Sequence, residues 1–156
     1  MIYTKEDFIK VRQGLREKNR KVVFTNGCFD IIHRGHVEYL YEAQSLGDYL
    51  VVGLNSDDSV RRLKGETRPL QNQGDRAYVL DSLKCVEAVI IFGEDTPYEL
   101  IKSVLPDFLV KGSDYRTDEI AGHQTVIAHG GKVETIDLIM GFSTTSLIHK
   151  IKLMGT

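Results

Sequence analysis

The feature that most constrains the fold is a regular alternation of short apolar runs with longer stretches of helical periodicity. The runs are rich in β-branched side chains, which is typical of strands that are buried on both faces. In chain order they are KVVFTNG, YLVVGL, EAVIIF, DFLVK and KVETID. Such alternation predicts parallel strands joined by right-handed helical crossovers. We therefore expect an α/β fold, a Rossmann-like open parallel five-stranded sheet with helices on both faces, in which residues 1–156 form a single domain.

Two helices carry specific expectations about their buried faces and their ends. The helix after the first strand should turn Val37, Leu40 and Tyr41 toward the core. The helix after the third strand has strong start signals, with Thr96 as the N-cap and Pro97 in the first helical position. Glu99 then occupies the third position, where an acidic side chain is favoured.

Composition limits the cellular compartment and the classes of binding partner that we expect for the protein. The net charge is −2, the isoelectric point is near 6.2, and no block of lysine or arginine is present, which argues against nucleic acid as a partner. The sequence has no signal-peptide core and no apolar run of membrane-spanning length, so a cytoplasmic protein without a membrane partner is expected. Cys28 and Cys85 have no spacing typical of a disulfide framework or a metal site.

A turn with unusual chemistry follows the first strand. The stretch TNGCFDIIHRGH, residues 25–36, places His33 and His36 three residues apart where a strand passes into a helix. The turn could be a plain connection with surface histidines, a metal site or an anion site. Metal binding lacks the i, i+4 spacing and a third ligand. An anion site fits better, because a helix N-terminus binds phosphate readily and Gly35 and Gly27 permit close backbone approach.

The same turn carries a family resemblance. GCFDIIHRGH resembles the G-x-F-D-x-x-H-x-G-H signature of the nucleotidyltransferase superfamily, which includes cytidylyltransferases and pantetheine-phosphate adenylyltransferase. GFSTTSLIHKI is similar to the hydroxyl-rich helix start near the superfamily's C-terminus. NSDDSVRRLKGETRP, EDTPYELI and DFLVKGSDY further resemble the adenylyltransferases that make ADP-heptose, over essentially the whole chain. In many bacteria that domain is fused to a sugar kinase, and this chain looks like a stand-alone version.

The resemblance implies a reaction and a role for each matching residue. AMP would pass from ATP to D-glycero-β-D-manno-heptose 1-phosphate with release of pyrophosphate, and Mg²⁺ would be carried mainly by the triphosphate. His33, His36 and Lys64 would be catalytic. No residue would be a dedicated metal ligand. Contacts to ATP would come from Thr25, Gly27, Cys28, Phe29, Gly35, Lys111, Gly112, Asp114, Phe142, Ser143, Thr144 and Thr145. Contacts to the second substrate would come from Asp30, Asn55, Asp57, Arg68 and Arg76.

Several of these roles have plain structural alternatives. Asp30 and Asp57 either position substrate or ribose, or cap the following helices. Lys64 is either a phosphate-binding cation or a solvated surface lysine. Capping explains one of the three consecutive hydroxyls that begin at Ser143. Cys28 is expected to be a small side chain that packs against its neighbours rather than a nucleophile, because the reaction needs no covalent intermediate.

The chain also departs from the superfamily pattern. Ile148 stands where many members have an arginine, and LIMGF lacks the arginine that precedes the glycine in cytidylyltransferases. Lys64, Lys111 or Lys150 would have to supply the missing positive charge. The alternatives are a glycerol-phosphate cytidylyltransferase or FAD synthetase of the same superfamily, or a nucleotide sensor without catalysis. A homodimer is a further expectation.

Overall fold

The computed structural model describes residues 1–139 and 141–154. Within them, six strands form one parallel sheet in the order β1-β4-β3-β2-β5-β6. The predicted open parallel sheet is confirmed, with one strand more than the expected five, because the strand at one edge is too short to show periodicity. The strands are β1 (Ile2–Tyr3), β2 (Val22–Gly27), β3 (Tyr49–Asn55), β4 (Ala88–Phe92), β5 (Phe108–Gly112) and β6 (Lys132–Ile136).

The helices connect these strands, and several begin at polar N-caps. Thr4 accepts a hydrogen bond from the Asp7 amide at 3.1 Å, and Ser56 accepts one from the Ser59 amide at 3.2 Å. Such caps satisfy amides that have no partner inside the helix. The helices are α1 (Lys5–Glu17), α2 (Arg34–Gln44), α3 (Asp57–Lys64), α4 (Gln73–Asp81), α5 (Tyr98–Val104), α6 (His123–Ala128) and α7 (Thr144–Met154), with a 3₁₀ turn at Thr117–Glu119.

Buried side chains in the described chain form a core cluster on each face of the sheet. Alternate residues of β2 point to opposite faces: Val23 joins one cluster, while Val22 and Phe24 join the other. The first cluster is covered by α2 and α4, and the second by α1, α5 and α6. The prediction of helices on both faces is therefore confirmed.

Two local expectations were wrong. Tyr39 rather than Tyr41 faces the core, and Tyr41 is 48% exposed, because α2 is rotated from the phase that the pattern suggested. Helix α5 begins at Tyr98, its N-cap is Pro97, and no side chain caps it, so Thr96 lies outside the helix. None of the described helices has the length and apolar character needed to cross a membrane.

The strand order places the site. The chain moves from β2 to β3 and β4 on one side, and then crosses to β5 and β6 on the other. The order thus reverses between β2 and β5, and ligands of open α/β sheets bind beyond the carboxyl ends of the strands at such a point.

Candidate functional site

Lys111 and Asn26 meet where β2 and β5 end. The Lys111 ammonium donates to the Asn26 carbonyl at 3.1 Å and lies 5.1 Å from the centroid of the Tyr115 ring. Burial lowers the pKa of Lys111 to about 8, although Asp114 and Cys28 act in the opposite direction. The Asn26 Oδ1 atom is buried and has no partner among the described residues. A cation and an unsatisfied acceptor therefore lie at the switch point of the sheet.

The turn after β2 brings the two histidines into stacking contact. His33 is the N-cap of α2, and its Nδ1 atom accepts a hydrogen bond from the His36 amide at 3.4 Å. The ring centroids are 3.8 Å apart, and the Phe29 ring meets His36 edge-on at 5.3 Å. Because His33 Nδ1 is an acceptor, a neutral His33 carries its proton on Nε2 and retains that donor for a ligand.

Both imidazoles are held in the neutral form. Burial lowers the pKa of His36 to about 4, with smaller contributions from the charges of His33 and Lys64. Burial also lowers the pKa of His33. The Nδ1 atom of His36 is buried and lacks a partner within the described chain. At pH 7 the pair therefore offers hydrogen-bond donors at the positive end of a helix dipole rather than two full charges.

A second helix N-terminus lies beside the first. A Cβ atom on Gly35 would lie 3.0 Å from Phe142 Cβ and 3.2 Å from the His33 ring, so Gly35 lets the segment before α7 pack against the histidine turn. The Thr144 hydroxyl donates to the Ile31 carbonyl at 3.5 Å. Ser143 caps α7 by accepting from the Ser146 amide at 3.0 Å. The exposed Thr145 follows on the first turn. Two sets of free helix amides are thus placed next to each other.

Lys64 is the last residue of α3, not a loop residue as its sequence context suggested. Its side chain is exposed, and Gly65 follows with a φ of 95°. The charge of Lys64 lowers the pKa of both His36 and Cys28, the latter against a larger increase caused by burial. The ammonium therefore lies within electrostatic reach of His36 and Cys28.

Asp30 anchors the loop that follows Lys64. Its oxygens accept from Arg68 Nε at 2.6 Å, from the Leu70 amide at 2.8 Å and from the Gln71 amide at 3.0 Å. The Asp30 side chain is only 1% exposed. Burial would raise the pKa of Asp30, but these donors together lower it below its ordinary value. This carboxylate already has protein partners for both oxygens.

Arg76 also makes its hydrogen bonds to other groups of the protein. It is fully buried and donates to the carbonyls of Gln71, Cys28 and Asn55 and to Asp57 Oδ1, using four of its five N–H groups. Buried Asn55 donates to the Ser59 hydroxyl. The structure does not bring the side chains of Arg76 and Asn55 to the cleft, contrary to the expectation that they contact substrate.

The side chains of three further predicted residues are buried or half-buried beside the site. Thr25 is buried, and its hydroxyl shares a 2.7 Å hydrogen bond with the Tyr39 hydroxyl, so the structure does not bring that side chain to the site. Phe29 is 6% exposed and packs in the core with a φ of 44°. Cys28 is half-buried, and its carbonyl holds Arg76.

Two glycines allow tight packing around the site. A Cβ atom on Gly27 would lie 3.0 Å from the Phe29 ring. A Cβ atom on Gly112 would lie 2.5 Å from Asp114 Oδ1, so a side chain there would displace that carboxylate. Met140, in the LIMGF segment, lies outside the described residues.

Sequence reasoning missed Asn26 and Tyr115. Asn26 is the residue before Gly27, and its role depends on a carbonyl and a buried amide oxygen that no residue pattern reveals. Tyr115 did carry a signal, since it follows Lys111 closely in KGSDY and an aromatic ring beside a lysine favours a cation–π contact.

The described residues contain no group of three or more histidine, cysteine or acidic side chains that could hold a metal ion. An ion that arrives with a nucleotide would be held mainly by phosphate oxygens.

Comparison with known proteins identifies the family. The cytidylyltransferase-like family model matches residues 24–150. The bifunctional protein HldE of Syntrophotalea carbinolica is 51% identical over 150 residues, covering 92% of this chain and 31% of that protein. The bifunctional protein HldE of Rhodopseudomonas palustris is 56% identical over 141 residues, covering 90% and 28%. The chain spans less than a third of the length of these relatives.

Solved structures share the fold. The lipopolysaccharide core biosynthesis protein from Thermoplasma volcanium is 31% identical, with a TM-score of 0.63 over 77% of this chain and 97% of that one. Pantoate-beta-alanine ligase from Francisella tularensis, in complex with beta-gamma ATP and beta-alanine, has a TM-score of 0.61 over 100% of this chain and 78% of that one. Its sequence identity is 16%, so this likeness concerns the fold alone.

Proposed function

The chain belongs to the cytidylyltransferase-like family, and from that premise we propose that it transfers AMP from ATP to D-glycero-β-D-manno-heptose 1-phosphate. The products are ADP-heptose and pyrophosphate. Similarity to proteins named bifunctional HldE and to a lipopolysaccharide core biosynthesis protein supports this choice of acceptor. The resemblance of NSDDSVRRLKGETRP and DFLVKGSDY to ADP-heptose-forming enzymes supports it as well.

One observation carries the proposal: the N-termini of α2 and α7 meet beside two stacked neutral histidines at the switch point of the sheet. Free helix amides are suited to a triphosphate. An oxygen of the sugar 1-phosphate attacks the α-phosphorus, and the bond from that phosphorus to the bridging oxygen of the β-phosphate breaks. The attacking phosphate is already an anion, so no strong general base is needed.

The residues of the site act mainly on charge that develops during this step. Neutral His33 and His36 donate hydrogen bonds to the phosphate oxygens, and Lys64 supplies a positive charge from the end of α3. The two anionic substrates must also be held together against their repulsion, because catalysis of phosphoryl transfer consists mainly of positioning and electrostatic stabilisation. We propose that Mg²⁺ enters with ATP and that no protein cage holds it.

A matrix of substrates tests the assignment. ATP and CTP are each incubated with heptose 1-phosphate, glycerol 3-phosphate or FMN, and pyrophosphate release is measured. We expect turnover with ATP and heptose 1-phosphate, and loss of it in a His33→Ala/His36→Ala control. Turnover only with CTP or only with FMN would end the heptose assignment. Binding of ATP without pyrophosphate release from any pair would make the chain a nucleotide sensor.

Three further proposals concern the whole chain. We propose that residues 1–156 act as one nucleotidyltransferase domain, that the protein works in the cytoplasm where ATP is available, and that it forms a homodimer. Two-fold dimers are the commonest closed oligomers. Light scattering of the purified protein checks the last proposal, and a monomeric mass at micromolar concentration contradicts it.

A further inference from the structure

Asp30 lies in the histidine turn, yet its contacts all lead away from the cleft. The carboxylate receives N–H groups from Arg68, Leu70 and Gln71, and these three residues belong to the segment between α3 and α4. Its side chain is 1% exposed, and that of Arg68 is 15% exposed. A substrate hydroxyl would have to displace one of these donors to reach Asp30.

The anchored segment closes a ring of contacts around the end of β2. Gln71, whose amide is held by Asp30, accepts from Arg76 Nε through its carbonyl at 3.0 Å. Arg76 in turn donates to the Cys28 carbonyl at 2.6 Å, two residues before Asp30. The ring thus joins the histidine turn to the segment that begins directly after Lys64.

The ring links the histidine turn, at the N-terminus of α2, to the segment that follows Lys64 at the end of α3. His33 lies three residues after Asp30, and Lys64 lies four residues before Arg68. Gly65 has a positive φ, and its amide closes α3 by donating to the Arg61 carbonyl at 2.8 Å. The segment that leaves α3 after Lys64 is therefore tied to the histidine turn through Arg68, Leu70 and Gln71.

We propose that Asp30 is a positioning residue that, through Arg68 and the Leu70 and Gln71 amides, sets Lys64 against the His33–His36 pair. The kinetic part rests on the proposed function, whereas the structural part does not. Asp30 in this account does not touch the substrate.

A double-mutant cycle tests the kinetic part. Asp30→Asn keeps the size of the side chain and removes its charge, and Arg68→Met removes the partner. Each should lower kcat roughly 10- to 100-fold, because a misplacement of about 1 Å can cost about 10²-fold, with little change in either KM. The double variant should be no worse than the poorer single variant, because the pair acts as a unit. Additive losses would mean that Asp30 and Arg68 act independently. A raised KM for the sugar phosphate with unchanged kcat would mean that Asp30 contacts substrate. Either result would overturn the proposal.

Asp58→Asn is the matched control. Asp58 also pairs with an arginine, Arg61, on the helix that carries Lys64, but the side chain of Asp58 is 77% exposed. An exposed pair contributes little, so this variant should keep the wild-type kcat. If Asp30→Asn does not fold, Arg68→Met alone must still lower kcat without raising KM.

Hydrogen exchange separates this inference from the proposed function. In Asp30→Asn, or in Arg68→Met, the Leu70 and Gln71 amides should exchange faster than in the wild type, while Asp58→Asn leaves them unchanged. Unchanged protection of both amides would overturn the anchor. If the wild type transfers no nucleotide to any acceptor, the proposed function fails. The exchange result alone then decides whether Asp30 holds the segment after α3.

Discussion

Gly35 lies where the surrounding site leaves no room for a side chain. An added Cβ atom would contact Phe142 Cβ at 3.0 Å and the His33 ring at 3.2 Å. These contacts are a few tenths of an ångström too short, so the ring or the segment before α7 would have to move. The position of the His33 ring therefore depends on the absence of a side chain at Gly35.

Gly35→Ala should separate activity from stability. We expect kcat to fall about 10-fold or more because the His33 ring is displaced. The free energy of unfolding should not fall in parallel, because alanine is favoured over glycine in a helix by about 1 kcal/mol. Steady-state kinetics and urea unfolding measure the two effects. Gly14→Ala is the control, because nothing lies within 4 Å of its added Cβ atom. It should gain stability at unchanged kcat, and a Gly35→Ala variant with full kcat would contradict the packing argument.

His36 should make the fold sensitive to acid. The pKa of His36 is about 4 in the folded protein and 6.5 by default, so only the unfolded chain binds this proton between those values. Stability is therefore present above pH 6.5 and is lost as the pH falls toward 4. His36→Asn cannot titrate, so it should lose less stability between pH 7 and pH 4.5, by roughly 1–3 kcal/mol after allowance for solvent screening. Urea unfolding at both pH values checks this, and equal losses in the two proteins would refute it.

Helix α7 contributes to the site without contributing to either core. No α7 residue in the described chain is buried, and the Thr144 hydroxyl links the start of α7 to the histidine turn. Stability is not uniform in proteins, and elements with few buried contacts open locally. We therefore expect α7 to fray at a lower free energy than the sheet unfolds.

Ser143→Ala should act locally. Loss of this N-cap costs about 1 kcal/mol, so the Ser146 amide should exchange about 5-fold faster and the KM for ATP should rise. The free energy of global unfolding should change little. Ser56→Ala removes a matching cap from α3, whose Ser59 and Val60 are fully buried, and it should lower global stability by about 1 kcal/mol. Equal global losses in the two variants would show that α7 is part of the cooperative core.

How well each element could be predicted depends on whether its structure is set by neighbouring residues or by residues far away in the sequence. The continuous β-branched run of β2 predicted a buried strand, and the structure confirms it because both faces of the sheet are covered. The two-residue β1 and the phase of α2 depend on pairing and packing across the sheet, which a local pattern does not contain.

The same distinction holds in the site. The motif predicted the proximity of His33 and His36 because both lie on one helix start. The burial of Arg76 and Asp30 was not predictable, since most of their partners lie far away in the sequence. Charged side chains also look alike in a sequence whether they meet solvent, substrate or a carbonyl.

At the scale of the whole molecule, one sheet is shared by two core clusters. Leu80 lies in one cluster and Ile101 in the other, and both are fully buried. Because the two clusters meet through the same strands, neither face should survive the loss of the other. Small single domains usually unfold in one cooperative step.

Leu80→Ala and Ile101→Ala should therefore behave alike. Each should cost about 2–5 kcal/mol, since a buried aliphatic side chain is replaced by a cavity. Circular dichroism and tyrosine fluorescence should report one shared urea transition in both variants. The exposed Leu63→Ala is the control and should cost well under 1 kcal/mol. Separate transitions for the two probes would mean that the faces unfold independently.

The account as a whole depends on what the histidine pair does in the reaction. The direct measurement is kcat and ATP affinity for His33→Ala, His36→Ala and His36→Asn, in folded proteins compared with the wild type. Loss of one donor to the developing charge should lower kcat about 10²-fold or more, while ATP affinity falls much less because the helix amides remain. Since the imidazoles are neutral, His36→Asn should recover part of the lost rate. Near-normal turnover in both alanine variants would contradict the proposed role of this turn.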